Sequence, residues 1–159
     1  MKRYELLLNI GVGVLAFAII LVVIFKFVIV RKPADPFAIN NIEEATVFDL
    51  SGSELKLDRL IPQNGTIHVL IFNLRDCHSC ISDGVEILKK LRKEGRQCFG
   101  IAIHDRVEDV DGWTINFDFS PFYMMKTVVF VDHFNIPITP ILLKFNNRKV
   151  ERHSYLLPH

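Results

Sequence analysis

The order of apolar and polar positions divides the chain before any motif is considered. From Leu6 to Phe25 it reads LLLNIGVGVLAFAIILVVIF, with Asn9 the one strongly polar residue, and FVIV follows Lys26. Twenty such residues in a helix span roughly 30 Å, the hydrocarbon thickness of a bilayer. A cleaved signal peptide carries a shorter apolar stretch and a small-residue cleavage site, and neither pattern is present. The expectation is an uncleaved transmembrane anchor over residues 1–32. Arg31-Lys32-Pro33-Ala34-Asp35-Pro36 leads into a short stiff linker, residues 33–41.

Beyond the linker the pattern becomes that of a folded domain, residues 42–159. Thr46 to Leu50 and Leu55 to Leu57 read as a short hairpin about Ser51-Gly52-Ser53. Ile67 to Leu74 (IHVLIFNL) is a continuous apolar run of the kind a central strand shows. Helical spacing runs from Cys77 to Glu94 and stops at Gly95. Val85, Ile87, Leu88 and Leu91 form its buried stripe, and Lys89, Lys90, Arg92, Lys93 and Arg96 its solvated side. Gln97 to His104 is a second buried strand, Val107 to Trp113 a weak helix or loop, and Thr127 to Val131 a short extended piece. The apolar-rich stretch Phe117 to Met125 reads as core and loop. Ile141 to Phe145 and Lys149 to Ser154 form a last hairpin around Asn146-Asn147-Arg148, a turn that asparagine favours. Strand, helix, strand and hairpin in that order give an α/β domain with a mixed sheet and a crossover helix.

Charge narrows the partner class. From Pro33 onward 14 Lys and Arg stand against 17 Asp and Glu, a net charge of −3. A nucleic-acid surface would be clearly basic, so that class is excluded. Lys2 and Arg3 flank one end of the apolar segment and Lys26, Arg31 and Lys32 the other, so the positive-inside count gives no orientation.

Between the first strand and its helix stand Cys77-His78-Ser79-Cys80. Two intervening residues put both sulfurs on the first helical turn, close enough to form a small disulfide. The unpaired N–H groups and partial positive charge of a helix N-terminus stabilise a thiolate there. Cys77, at the exposed mouth of the turn, is the expected nucleophile and Cys80, one turn deeper, the resolving thiol. A CxxC pair beside a βαβ pattern is the thioredoxin-like signature. Half of a zinc site is the alternative, but with only Cys98 remaining a four-cysteine site within one chain is excluded.

Phe48-Asp49-Leu50-Ser51-Gly52 followed by Leu55 to Leu60, the strand Val69 to Leu74, the Cys77/Cys80 pair, and Thr139-Pro140 before Ile141 to Phe145 resemble the membrane-anchored thioredoxin-like reductases of the TlpA and ResA type. The likeness covers roughly residues 42 to 152. It implies a thioredoxin-like fold, a central mixed sheet flanked by helices. It implies a cis peptide at Pro140 beside the dithiol, a bond that X–Pro forms readily, and pairing of the Thr139 backbone with substrate. Asp83, three positions after the second cysteine, matches the family's acidic residue and could exchange protons with the buried thiol. It reads equally as a first-turn carboxylate favoured by the helix dipole. His78 and Ser79 lie between the cysteines, where they meet substrate and tune the potential. The implied partners are a protein thiol or disulfide and an upstream membrane or thioredoxin-type electron donor. No cofactor is implied beyond the redox-active Cys77–Cys80 disulfide, and no metal.

The chain departs from that family in several places. Asp76 replaces the usual aromatic residue before the first cysteine, where its charge opposes thiolate formation and its carboxylate is a candidate helix cap. The proline that kinks the active-site helix is missing, and Gly84 is the residue able to loosen the same turn. Ile71 stands where cytosolic thioredoxins carry a buried aspartate. Only 14 residues follow Phe145, too few for the usual C-terminal helix. That leaves one sheet face to be covered by a partner, by the membrane surface or by Asp111 to Lys126.

Histidine just before the second cysteine marks oxidants and isomerases. Here His78 is one place earlier, which points to a reductant or mild exchanger. A dithiol that cycles through a disulfide on a tethered domain belongs outside the reducing cytosol, so the expected location is the cell membrane, single-pass, with an extracytoplasmic domain. Other classes compete with the oxidoreductase. Cys77, Cys80 and a histidine from His78, His104 or His133 could hold Cu(I) or Zn, as in SCO-type copper chaperones, although those have three residues between their cysteines and this chain has two. A non-catalytic anchored module would use the pair as a structural disulfide. A peroxidase would need a Thr or Ser three before its cysteine, and Asn73-Leu74-Arg75-Asp76-Cys77 supplies only the arginine. Cys98 is expected to be a small buried hydrophobe, or a third redox partner if it lies near Cys80.

Overall fold

The computed structural model describes residues 42–156. The anchor and linker expected over 1–41 lie outside them. Among the described residues no helix is long and apolar enough to cross a membrane.

In chain order the elements are β1 (Thr46–Asp49), β2 (Glu54–Lys56), α1 (Leu57–Leu60), β3 (Thr66–Asn73), α2 (His78–Lys93), β4 (Gln97–Ile103), α3 (Val107–Thr114), β5 (Phe122–Met125), α4 (Thr127–His133), β6 (Ile141–Asn146) and β7 (Lys149–Tyr155). The strands form one mixed sheet in the order β2-β1-β5-β4-β3-β6-β7. β3, β4 and β5 run parallel, while β1 and β2 on one side and β6 and β7 on the other run antiparallel to their neighbours.

The continuous apolar run of β3 is explained by its place, since it pairs on both edges and is covered on both faces. Ile67, Val69 and Ile71 join Ile101, Leu143 and Phe145 in one core, roofed by α1, α4 and Phe134. Leu70 and Phe72 join Ala102, Phe122 and Met124 in the other, under α2 and α3. α2 presents Ile81, Val85 and Leu88 to that second core, and Ile87, expected in the stripe, is 37% exposed at its margin. A Schellman arrangement ends α2, with Gly95 at φ 75°. There the N–H of Gly95 bonds the Arg92 carbonyl and that of Arg96 the Leu91 carbonyl, which satisfies carbonyls the helix end leaves open.

Gly84 has a different role from the one expected. A Cβ there would lie 2.6 Å from Leu156 Cδ1 and 2.7 Å from Leu70 Cδ1, so the glycine lets α2 approach β3 closely.

Two segments depart from the sequence reading. Thr127 to Val131, expected as extended, is the helix α4. Its β-branched run favours a strand, but Asp105 supplies a helix start from 22 residues away. Asp105 Oδ1 accepts from the Thr127 N–H at 3.0 Å and Oδ2 from the Thr127 hydroxyl at 3.3 Å. Within Phe117 to Met125, expected as core and loop, Phe122–Met125 is a strand inside the sheet. It follows a cis Ser120–Pro121 peptide, and Gly100 leaves room for the Phe122 ring. The rest of that segment does cover the sheet, with Phe117 and Phe119 packed over the second core beside Trp113 of α3. A smaller difference falls at Leu57, which begins α1 instead of ending β2.

Among the described residues the outer face over β6 and β7 is largely polar, with His68 buried at its margin. His68, Lys144 and Arg152 sit directly opposite one another on β3, β6 and β7, and Lys144 pairs with Glu151. Polar side chains occupy this part of the sheet in place of the apolar ones that would require a cover.

Candidate active site

β3 ends at Asn73, and the chain turns through Leu74-Arg75-Asp76 into α2. Asp76 holds this turn. Its Oδ2 accepts from the Asn73 N–H at 2.7 Å, while Asn73 Oδ1 accepts from the Arg75 N–H at 3.0 Å. The carboxylate considered as a helix cap is therefore spent on the strand end. The helix is capped by Cys77, whose sulfur accepts from the Cys80 N–H at 3.4 Å.

Cys77 and Cys80 form a disulfide with Cα atoms 5.2 Å apart. Cys77 is half-buried, whereas Cys80 is 2% exposed. This is the asymmetry expected of a nucleophile and a resolving thiol. Ser79 Oγ lies 3.1 Å from the Cys77 sulfur, and no acidic residue stands in the first turn of α2. A thiolate at Cys77 would meet a helix N-terminus, one backbone N–H and one hydroxyl, each of which favours the charged form.

The sheet brings the second half of the site to the same end. Ile71 of β3 is opposite Ile141 of β6, so Thr139-Pro140, just before Ile141, stands level with the strand end that leads to Cys77. The Thr139–Pro140 peptide is cis, as the resemblance implied. Pro140 is buried and Thr139 half-buried, and the Pro140 carbonyl accepts from the Leu156 N–H at 3.1 Å. Asp83 lies one turn along α2 from Cys80 with its side chain exposed. The hydrogen bonds around the sulfurs come from Ser79 and the Cys80 N–H, not from this carboxylate.

His78 is exposed, yet its ring has neighbours that the sequence did not suggest. It stacks on Phe117 and meets Trp113 edge-on. The signal was present in the four-residue spacing of the chain's one tryptophan and Phe117, at the end of what read as a weak helix.

Among the described residues no three His, Cys, Asp or Glu side chains converge to hold a metal ion. His104 Nδ1 accepts from the Arg106 N–H at 3.2 Å and lies 3.8 Å from Asp109. Cys98 is far from the dithiol. It pairs with His68 at the opposite end of β3, and its thiol donates to the Leu88 carbonyl at 3.3 Å, eight residues along α2 from Cys80.

No protein-family model matches the sequence, and no curated protein matches it. Solved structures do match the fold. A thiol:disulfide interchange protein from a Bacteroides species superposes with a TM-score of 0.58 at 14% identity, covering 75% of this chain and 82% of its own. A secreted Mycobacterium tuberculosis disulfide oxidoreductase homologous to Escherichia coli DsbE gives 0.54 at 14% identity, with 71% and 83% covered. BsSco, a member of the Sco family of cytochrome c oxidase assembly proteins for which a disulfide switch is described, gives 0.55 at 13% identity, with 72% and 82% covered. At these identities the likeness is one of fold, and the fold is thioredoxin-like.

Proposed function

We propose that this protein is a thiol–disulfide oxidoreductase, tethered to a membrane by its N-terminal apolar segment, that reduces or exchanges disulfides in extracytoplasmic proteins. The observation that carries the reading is the pairing of a half-buried Cys77 with a buried Cys80 at the start of α2, level with the cis Thr139–Pro140 peptide. The Cys77 thiolate attacks a substrate disulfide, forming a mixed disulfide and releasing one substrate thiolate. Cys80 then attacks Cys77, which frees the second substrate thiol and leaves the Cys77–Cys80 disulfide. Two electrons have passed to the substrate, and an upstream dithiol donor restores the pair. The half-buried Thr139, just ahead of β6, offers its backbone to an incoming substrate strand. The fold neighbours whose names describe disulfide chemistry support the same reaction class.

Tethering rests on the run from Leu6 to Phe25, and the extracytoplasmic placement on the need for a disulfide to persist. Asp83 keeps a place in the proposal as a solvent-linked proton carrier for Cys80. The copper reading lacks a convergent third ligand among the described residues.

Cys80→Ser tests the mechanism, because it stalls the reaction at the mixed disulfide. The expected result is a covalent adduct with a native-membrane protein that dithiothreitol releases and that Cys77→Ser cannot form. A trap that captures nothing, in a variant that still folds, counts against the reaction. Once an impermeant reductant has opened the disulfide, labelling of Cys77 by an impermeant thiol reagent on intact cells tests the placement, and protection from the reagent contradicts it.

A further inference from the structure

His78 follows the nucleophile directly, but its ring is held from another part of the chain. It stacks on Phe117 at 5.8 Å between centroids and 27° between planes, and meets Trp113 at 5.7 Å and 64°. Trp113 and Phe117 are themselves 4.7 Å apart. Trp113 packs on Phe72 at 5.3 Å and Phe117 on Phe122 at 6.3 Å. Phe72 and Phe122 are core residues, and the Phe117 N–H is fixed to the Thr114 carbonyl at 2.9 Å. The two rings that meet His78 are therefore rooted in the core, whereas His78 stands exposed on the first turn of α2. Among the described residues the polar contacts of the Cys77 sulfur are Ser79 Oγ and the Cys80 N–H.

We propose that Trp113 and Phe117 are positioning residues for the dithiol, holding the His78 imidazole stacked on Phe117 and edge-on to Trp113, off the Cys77 sulfur. This deepens, and rests on, the reading of Cys77–Cys80 as an exchanging pair. A protonated imidazole free to reach Cys77 would stabilise its thiolate, favour the reduced dithiol and make the protein more oxidising. The ring pair prevents that and keeps the couple on the reducing side.

The test uses the purified full-length chain at pH 6, where an unconstrained imidazole carries charge. Phe117→Leu keeps an apolar side chain without a ring, and Phe117→Tyr keeps the ring. In the wild type the His78 ring-proton resonances are displaced by ring currents. Phe117→Leu returns them toward free-imidazole positions and Phe117→Tyr does not. Against a glutathione buffer, Phe117→Leu shifts the equilibrium about tenfold toward the dithiol, equivalent to ~30 mV, and Phe117→Tyr stays near wild type. In a His78→Ala background the Phe117→Leu shift disappears. A shift of equal size in that background overturns the proposal, because the ring then acts without the histidine. Undisplaced His78 resonances in the wild type overturn it as well. A wild type with displaced resonances but no reversible equilibrium overturns the exchange reading itself, and with it any redox role for the rings.

Discussion

The sulfur of Cys77 and the backbone N–H of Cys80 meet at 3.4 Å, so the expected nucleophile is also the N-cap of the helix that activates it. In the proposed reaction, catalysis and helix stability share one atom. A thiolate accepts this bond more strongly than a neutral sulfur, and reduction should tighten the first turn of α2.

Serine is a good N-cap and alanine a poor one. Under reducing conditions Cys77→Ala is therefore expected to be less stable than Cys77→Ser by about 1 kcal/mol, read from urea midpoints. Both abolish disulfide exchange. Equal midpoints would show that the sulfur does not cap the helix.

Gly84→Ala pits propensity against space. Alanine gains about 1 kcal/mol in a helix interior, but its Cβ would press on Leu70 and Leu156, and overpacking of a core costs about 1–3 kcal/mol. The expected outcome is net destabilisation by about 1 kcal/mol in equilibrium unfolding. A stabilised variant would mean that the two leucines yield easily.

Asp105→Ala removes the oxygens that meet the Thr127 N–H and hydroxyl. Loss of about 1 kcal/mol is expected, in the range for N-cap deletions. Amide exchange should quicken in α4 before it does in α2. Uniform exchange across both helices would refute a local capping role.

Stability should depend on pH through His68. Burial, with Arg96 and Lys144 nearby, holds its imidazole below the ordinary 6.5. Its Nδ1 is buried without a hydrogen-bond partner. As pH falls through 6.5 the unfolded chain takes up a proton that the folded chain refuses, so unfolding becomes easier. The loss begins near 6.5 and levels off below the folded-state value. His68→Leu should flatten this part of the profile in pH-dependent thermal melts. An unchanged profile would assign the slope to other groups.

What the sequence reveals about this fold follows the range of the interactions. The CxxC pair, its helix and the Gly95 stop are local, set by neighbours within one or two turns, and the structure reproduces them. β3 was legible because a strand covered on both faces needs a continuous apolar run. α4 was not, because the group that starts it, Asp105, lies on another loop. β5 carried a period-two signal, Phe122 and Met124 on one face and Tyr123 and Met125 on the other, but the surrounding aromatics and Pro121 obscured it. In the site, the position of Asp76 in sequence makes it a candidate cap. The free N–H of Asn73 at the strand end captured its carboxylate instead. The spacing of Trp113 and Phe117 pairs the two rings locally, but their contact with His78 depends on how α3 settles over Phe72, which that spacing does not encode.

Cys98 is sealed at 7% exposure with its thiol bonded to the Leu88 carbonyl, and burial pushes that thiol up from its ordinary value. The chain thus contains its own unfolding reporter. An alkylating reagent that adds two labels counts the electrons stored in an intact molecule, and a third label appears only when the sheet has opened.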